Sequence, residues 1–500
     1  MKPSLHRDEF VALAAAYSVV PLSVEILGDR ETPVSVYEKL VADANGFLLE
    51  SVEGGEQWAR WSFIGWDSRL TLVTHDGITS AMQVAGSDLP VPPLGDLDPL
   101  TALEVVVDRF VTPPDDELGL GGEVPPLFAG AVGFLGYDVV RYIEQLPNPP
   151  HDDRGLPEMA WQFFGMLAVV DRFRQTIRLV RNVFVDDDPA AQYDLALAEL
   201  AKAAERLGRS SQYTVRSRPE FGNTLEPRAN MTQQAFEAAV TRAIGHIEAG
   251  DVFQVVPSLR LEVDFAGDPF EVYRALRMVN PSPFLFFLRY DGFVISGASP
   301  ELMTRARDGK ADSRPIAGTR PRGATPAEDV AFEEELLADP KERAEHVMLI
   351  DLARNDLGRV CEFGSIEVED LMVVERYSHV MHIVSGVSGQ LRPGIGPVDL
   401  LRATFPHGTV SGAPKVRAME IIDELEPTAR GPYAGAVGYI DFTGNVDTAI
   451  ALRTLVAANG KAWVQAGAGI VADSAPTLEY QECLNKAAAV LAAIGGSADV

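Results

Sequence analysis

Along the early part of the chain, apolar residues fall in short runs or alternate with polar ones, between clusters of Gly, Asp and Pro. A two-residue period with such punctuation is the signature of β-strands. It predicts strands over 46–52, 61–74, 127–137, 159–170 and 176–185. Two helices interrupt them. One opens at Asp98-Pro99, a capping carboxylate followed by a proline that suits the first helical position, and runs to about Phe110. The other is the Ala-rich stretch 189–207. Residues 113–126, acidic and rich in Gly and Pro, predict a surface loop. Residues 208–228 are polar and basic with no apolar period, and read as a linker. The expected organisation is therefore a first lobe with its linker at 1–228 and a second lobe at 229–500. The second lobe begins with an amphipathic helix over 232–250, where Phe236, Val240, Ile244 and Ile247 share one face. Further on, 439–442 and 448–457 flank the turn Thr443-Gly444-Asn445. Such neighbouring pairs favour antiparallel sheets and an α+β class over a doubly wound parallel sheet.

Composition narrows the possible partners. At 500 residues the chain exceeds what one core usually serves, and 46% hydrophobic residues supply ample material for burial. The net charge of −29 opposes binding to nucleic acid or to an anionic membrane surface. It also means that an anionic ligand must be met by local cations or by a metal. Two cysteines, Cys361 and Cys483, exclude a disulfide framework and fit a reducing cytoplasm. No early apolar run resembles a secretory leader, and the longest apolar stretches, 159–170 and 487–494, are too short to span a bilayer. The expectation is a soluble cytoplasmic protein.

Candidate chemistry gathers in the second lobe. Residues 340–357 predict a helix presenting Glu342 and Glu345 on one face, and the last helix, 476–494, presents Glu479 and Glu482 at the same spacing. Four converging carboxylates suit Mg²⁺, which takes hard oxygen ligands and retains waters; the same spacing also fits two solvated helix faces. Ala466-Gly467-Ala468-Gly469 follows an apolar strand, and its bare backbone can approach an anion or merely pack closely. The loops 315–320 and 405–415 have the same character, the latter leading into a helix. His382 lies in an alternating strand, as a core histidine or a catalytic one. Arg453, placed in an apolar strand over 449–456, needs either an internal carboxylate or an anionic ligand.

Ser299-Pro300-Glu301, Pro315-Ile316-Ala317-Gly318-Thr319-Arg320, Ala344-Glu345-His346, Asp351-Leu352-Ala353-Arg354-Asn355-Asp356, the loop 408–415, and Gly467-Ala468-Gly469 with Glu482 together resemble the chorismate-utilising enzyme family, in that family's order, over about 231–495. The first lobe, with Leu48-Leu49-Glu50-Ser51, is similar to the regulatory lobe of the family's anthranilate-forming branch. The resemblance implies two large antiparallel β-sheets packed as a sandwich with flanking helices. It implies Mg²⁺ on Glu345 and Glu482, with Glu342 and Glu479 acting through water. Gly318, Thr319, Tyr433, Arg453, Gly467, Ala468 and Gly469 match substrate-binding positions. Ser51, Pro283, Phe284 and Leu285 match a tryptophan-binding site and imply feedback inhibition.

Two positions point to a branch. Members that attack with water carry a lysine base where this chain has Gln254, and members that make 4-amino-4-deoxychorismate carry a lysine nucleophile where it has Ala317. Glutamine cannot act as that base and alanine cannot form a covalent adduct. The resemblance thus implies amination of chorismate at C2 by ammonia, with Glu301 as general acid, then pyruvate loss assisted by His382, giving anthranilate for tryptophan biosynthesis. Neither cysteine sits in a nucleophile-elbow context, so a separate glutamine amidotransferase subunit is implied as ammonia donor, in an assembly of two large and two small subunits. An enzyme that stops at 2-amino-2-deoxyisochorismate is the nearest alternative, disfavoured by His382; a non-catalytic relative sensing tryptophan or chorismate is disfavoured by the full carboxylate set. His407 departs from the family loop, where a small residue such as alanine is more usual.

Overall fold

The computed structural model describes residues 1–51, 60–84, 89–120, 124–210, 225–377 and 380–497. Two long strands, Trp61–His75 and Met159–Asp171, organise it. They pair antiparallel along nearly their whole lengths, with a register shift between Ser68 and Leu70. An extra residue in one strand bends and twists the pair, and here the halves on either side of the shift enter different layers. The half containing Ser62–Trp66 continues through Gly46–Glu50, Phe284–Tyr290, Phe293–Ser299, Thr454–Ala458, Lys461–Gly467 and Ser258–Asp264. The half containing Met159–Phe163 continues through Gly130–Leu135, Ala436–Asp441, Val446–Ile450, Leu302–Arg307, Lys310–Ser313 and Val380–Gln390.

The layers face one another across an aromatic core. Phe47, Phe164, Phe286 and Leu288 come from the first, and Val132, Phe134, Val437 and Tyr439 from the second. Helices cover the outer faces. Pro189–Gly208, Gln233–Glu248, Pro269–Val279 and Pro476–Ser497 pack on the first layer. Pro99–Val107, Pro340–Gly358 and Pro397–Thr404 pack on the second. The α+β sandwich with flanking helices is therefore what the chain adopts. Asp98 caps its helix as its position suggests, accepting from the Leu100 and Thr101 amides. Each layer contains strands from both sides of residue 228. The linker expected over 208–228 falls largely at 211–224, outside the described residues.

One expectation needs correction. The single strand over 448–457, with Arg453 inside it, is two strands: Val446–Ile450 lies in the second layer and Thr454–Ala458 in the first. Arg453 sits at the break with φ +48°, a left-handed conformation that no ladder accommodates. Apolar alternation runs through both pieces, so the period alone cannot reveal the change of layer. Next to it Phe293–Ser299 passes from the first layer into Leu302–Arg307 of the second, with Glu301 at the step. The two crossings are stitched together: Ile450 N–H donates to Glu301 O at 3.1 Å and Ala298 N–H to Arg453 O at 3.3 Å.

Phe164, 1% exposed, stands edge-on to Phe47 at 5.3 Å between ring centroids. Truncation to Ala there should cost about 3–5 kcal/mol, as cavities in aromatic cores do. The check is urea denaturation followed by tryptophan fluorescence, with the midpoint expected to fall; an unchanged midpoint would show that this aromatic layer does not hold the sheets together.

Candidate active site

Glu301 is 4% exposed at the crossing of the two layers. Burial pushes its pKa up to about 7, against the lowering by the Thr409 hydroxyl and by the Lys486 charge. A carboxyl of this kind still carries its proton near neutrality and can act as a general acid. Its Oε1 is 2.6 Å from Thr409 Oγ1. Thr409 belongs to the loop 405–415, which was expected to bind an anion. Here the loop forms a short turn at Gly408–Val410, pairs Gly412 and Ala413 with Val255 and Gln254, and grips the acid.

Opposite, Gly318 and Thr319 form the irregularity between Ile316–Pro321 and Val380–Gln390, where the register shifts between Ala317 and Arg320. Gly318 adopts φ +67°, and a Cβ there would lie 3.1 Å from Glu342 Oε2, so both backbone and space favour glycine. The irregularity turns the Gly318 carbonyl toward His382. Nδ1–H of His382 donates to Gly318 O at 2.8 Å, with Thr319 Oγ1 at 3.2 Å. That bond fixes the tautomer and leaves Nε2 as the basic nitrogen. Burial, and then the charge of Arg453, hold the imidazole pKa below its ordinary value. Arg453 Nη1 is steadied by Asn280 Oδ1 at 3.0 Å.

The glycine strand forms another wall. A Cβ on Gly467 would come within 2.8 Å of Tyr433 Oη, and one on Gly469 within 2.9 Å of Gln254 Nε2. Ala468, fully buried, anchors the segment through its N–H to Pro257 O at 3.2 Å. Gln254 is buried, and its amide donates to Glu345 Oε1 at 3.1 Å. Ala317, opposite Ile383, brings no nucleophile.

The two carboxylate helices are linked here through shared lysines. Asp339 caps Pro340–Gly358 through the Lys341 and Glu342 amides. Glu345, on its inner face, has its pKa raised by burial and then by Glu342. On Pro476–Ser497, Lys486 Nζ lies 2.7 Å from Glu482 Oε1 and 2.9 Å from Gly467 O, and its charge also reaches Glu301 and Glu345. Lys341 reaches both Glu345 and Glu479. Glu342 accepts from Arg320 at 3.0 Å. No three His, Cys, Asp or Glu side chains among the described residues form a closed metal nest. Mg²⁺ needs none, because one or two carboxylates with water and a substrate oxygen complete its shell. An all-oxygen donor set, in which burial and then an adjacent carboxylate raise the pKa of Glu345 and of Glu479, fits such an ion.

Ser51, Pro283, Phe284 and Leu285 line a different cavity of about 570 Å³, bounded also by Glu50, Tyr439, Asp447 and Ala449. Buried Glu50 accepts from Tyr273 Oη at 2.6 Å and Arg277 Nε at 3.0 Å, and pairs with Arg172. Sequence reasoning missed Lys486, Thr409 and Asn280. Lys486 had a signal, since it lies four positions after Glu482 on one helix face; Thr409 and Asn280 meet their partners only through the fold.

Residues 90–492 match the family described as chorismate binding enzyme. The chain belongs to that family. Among chorismate-binding enzymes, anthranilate synthase component 1 of Mycolicibacterium smegmatis is 48% identical over 505 residues, covering 98% of this chain and 94% of its own. The component 1 of Acetivibrio thermocellus is 44% identical over 500 residues, 99% of each chain. A crystal structure of anthranilate synthase component I from Streptococcus pneumoniae, 34% identical, matches with a TM-score of 0.77 over 93% of this chain and 98% of that one. No helix among the described residues is long and apolar enough to cross a membrane.

The close approach at Gly467 gives a test of this candidate site. Gly467→Ala must displace Tyr433 Oη, so the KM for the family's substrate should rise by at least about tenfold while far-ultraviolet circular dichroism stays unchanged. An unaltered KM would show that the strand does not shape the site.

Proposed function

We propose that the chain is the chorismate-converting component of an anthranilate synthase, joining ammonia to C2 of chorismate and eliminating pyruvate. The observation that carries the reading is Glu301, its pKa raised by burial, at a crossing adjacent to that of Arg453, whose charge reaches His382, with Gln254 bound to Glu345 and alanine at 317. That set contains an acid for a leaving hydroxyl and an imidazole for the second step. It offers neither the lysine base that would activate water nor the lysine nucleophile of a covalent route. Full-length similarity to proteins named anthranilate synthase component 1 supports the same reaction.

Chorismate is a dianion, and cationic groups are at hand to receive it. Arg453 and Tyr433 suit the enolpyruvyl carboxylate; Lys486 and the bare backbone at Gly467 and Gly469, held in place by Ala468, suit the ring carboxylate. Glu345 and Glu482 would hold Mg²⁺ directly, with Glu342 and Glu479 through water. That ion would neutralise the ring carboxylate and draw electron density from the diene. In the first step the C2–N bond forms, the double bonds shift, and the C4–O bond breaks as Glu301 gives its proton to the departing hydroxyl, releasing water. In the second, Nε2 of His382 takes the C2 proton, the C3–O bond breaks, and the enolpyruvyl group leaves and becomes pyruvate on protonation.

Ammonia would come from a separate glutamine amidotransferase component, as the relatives' designation "component 1" suggests. The cavity at Ser51, Pro283, Phe284 and Leu285 suits an aromatic amino acid: aromatic and aliphatic walls, and Arg60, Arg305 and Arg307 for a carboxylate. Tryptophan as feedback inhibitor fits it. Cytoplasmic localisation follows from this biosynthetic role.

The purified chain with chorismate, Mg²⁺ and ammonium should produce anthranilate fluorescence, diminished by tryptophan; absence of anthranilate under those conditions would overturn the assignment. His382→Met should retain the first step and accumulate 2-amino-2-deoxyisochorismate, seen by chromatography. Undiminished anthranilate from that variant would remove His382 from the elimination.

A further inference from the structure

His407 is buried, 5% exposed, and takes no part in the chemistry above. Its Nδ1 lies 2.9 Å from Thr409 Oγ1, and that oxygen lies 2.6 Å from Glu301 Oε1. The direct distance from Nδ1 to Oε1 is 3.5 Å, so the hydroxyl bridges the two. The Thr409 backbone N–H also points at Nδ1, at 3.4 Å. A nitrogen that receives a backbone N–H presents its lone pair, and the imidazole hydrogen then sits on Nε2. The Thr409 hydroxyl can give its one hydrogen to that lone pair. Its oxygen then accepts from the Glu301 O–H at 2.6 Å; the alternative, in which the hydroxyl gives that hydrogen to Oε1 instead, is the bond that lowers the Glu301 pKa.

We infer that His407 is a positioning residue for the proton of Glu301: Nδ1 engages the Thr409 hydroxyl and so holds Glu301 in its acid form. The chain has two directions. With Glu301 protonated, hydrogens run from Glu301 to Thr409 to His407. Once Glu301 has given up its proton, the Thr409 hydroxyl turns and donates to the carboxylate, leaving Nδ1 with the backbone N–H alone. Each state keeps Oε1, the Thr409 hydroxyl and Nδ1 bonded, so one hydroxyl adapts to either form of the acid by turning, while the proton itself arrives from outside the chain.

The charges around the chain do not duplicate this role. Lys486 faces Glu301 and lowers its pKa. Burial, and then the facing charge of Lys415, hold the His407 imidazole pKa down at about 3, so the ring stays neutral as an acceptor must. Lys415 itself is paired with Asp356 at 2.7 Å. Arg430 reaches Val410 O but is closed on Glu426 at 2.6 Å.

The sign is determined. Without His407, Thr409 is free to donate to the carboxylate, so the ionised form gains and the Glu301 pKa falls. The test is an infrared titration of the protonated-carboxyl band that disappears in Glu301→Gln, on the full chain. The midpoint should fall by about one pH unit in His407→Ala, a roughly tenfold change in the ratio of acid to carboxylate. It should return in His407→Asn, whose Oδ1 can accept near the Nδ1 position. The alkaline limb of kcat/KM for chorismate, measured at fixed free ammonia, should move the same way. A midpoint unchanged or raised in His407→Ala overturns the inference, including the case where activity drops equally at every pH. The inference rests on Glu301 acting as the acid of the proposed reaction. Failure to form anthranilate would defeat that reaction, while the infrared midpoints would still decide the hydrogen-bond chain.

Discussion

Two neighbouring strands must leave one sheet and enter the other without stranding their backbone polar groups. An unpaired N–H or C=O buried between layers costs about as much as a lost hydrogen bond. The crossings solve this by serving one another, Ile450 N–H to Glu301 O and Ala298 N–H to Arg453 O. Side chains at such a step point into the seam, where no ladder neighbour covers them. That is why a carboxyl and a guanidinium, seldom found inside a sandwich, stand at adjacent crossings.

From that seam the electrostatics follow. The chain carries a net charge of −29, yet the site concentrates Lys486, Arg453 and Lys341 around its carboxylates. Glu301 and Glu345 respond alike to burial, with raised pKa values, but their uses differ. Glu301 faces hydroxyl and imidazole groups that can pass a proton. Glu345 faces Glu342 and an amide, surroundings that suit an additional cation. Two carboxyls with one kind of shift thus suit two purposes, set by their neighbours.

Local features were legible where a residue's role depends on its near neighbours in the chain. Asp98 and Pro99, the spacing of Glu342 and Glu345, the spacing of Glu479 and Glu482, and the bareness of Gly467 and Gly469 could all be read along the sequence. The sandwich followed from motif order. The change of layer at Arg453 was not legible, because alternation is preserved on both sides of the break while the partner strands change. Thr409 was hidden for a related reason: nothing near it announces a carboxyl that only tertiary structure brings to its hydroxyl. His407 stood out as a departure from the family pattern, but its meaning needed the distance to Thr409.

The mixing of strands from both lobes has a consequence for how the chain can be divided. A fragment starting after the linker would carry Phe284–Tyr290 without Gly46–Glu50 and Ala436–Asp441 without Gly130–Leu135. Both would then offer open rows of donors and acceptors, the usual template for self-association. The first and second lobes are therefore interleaved like the fingers of clasped hands, and cutting the chain between them would open both layers.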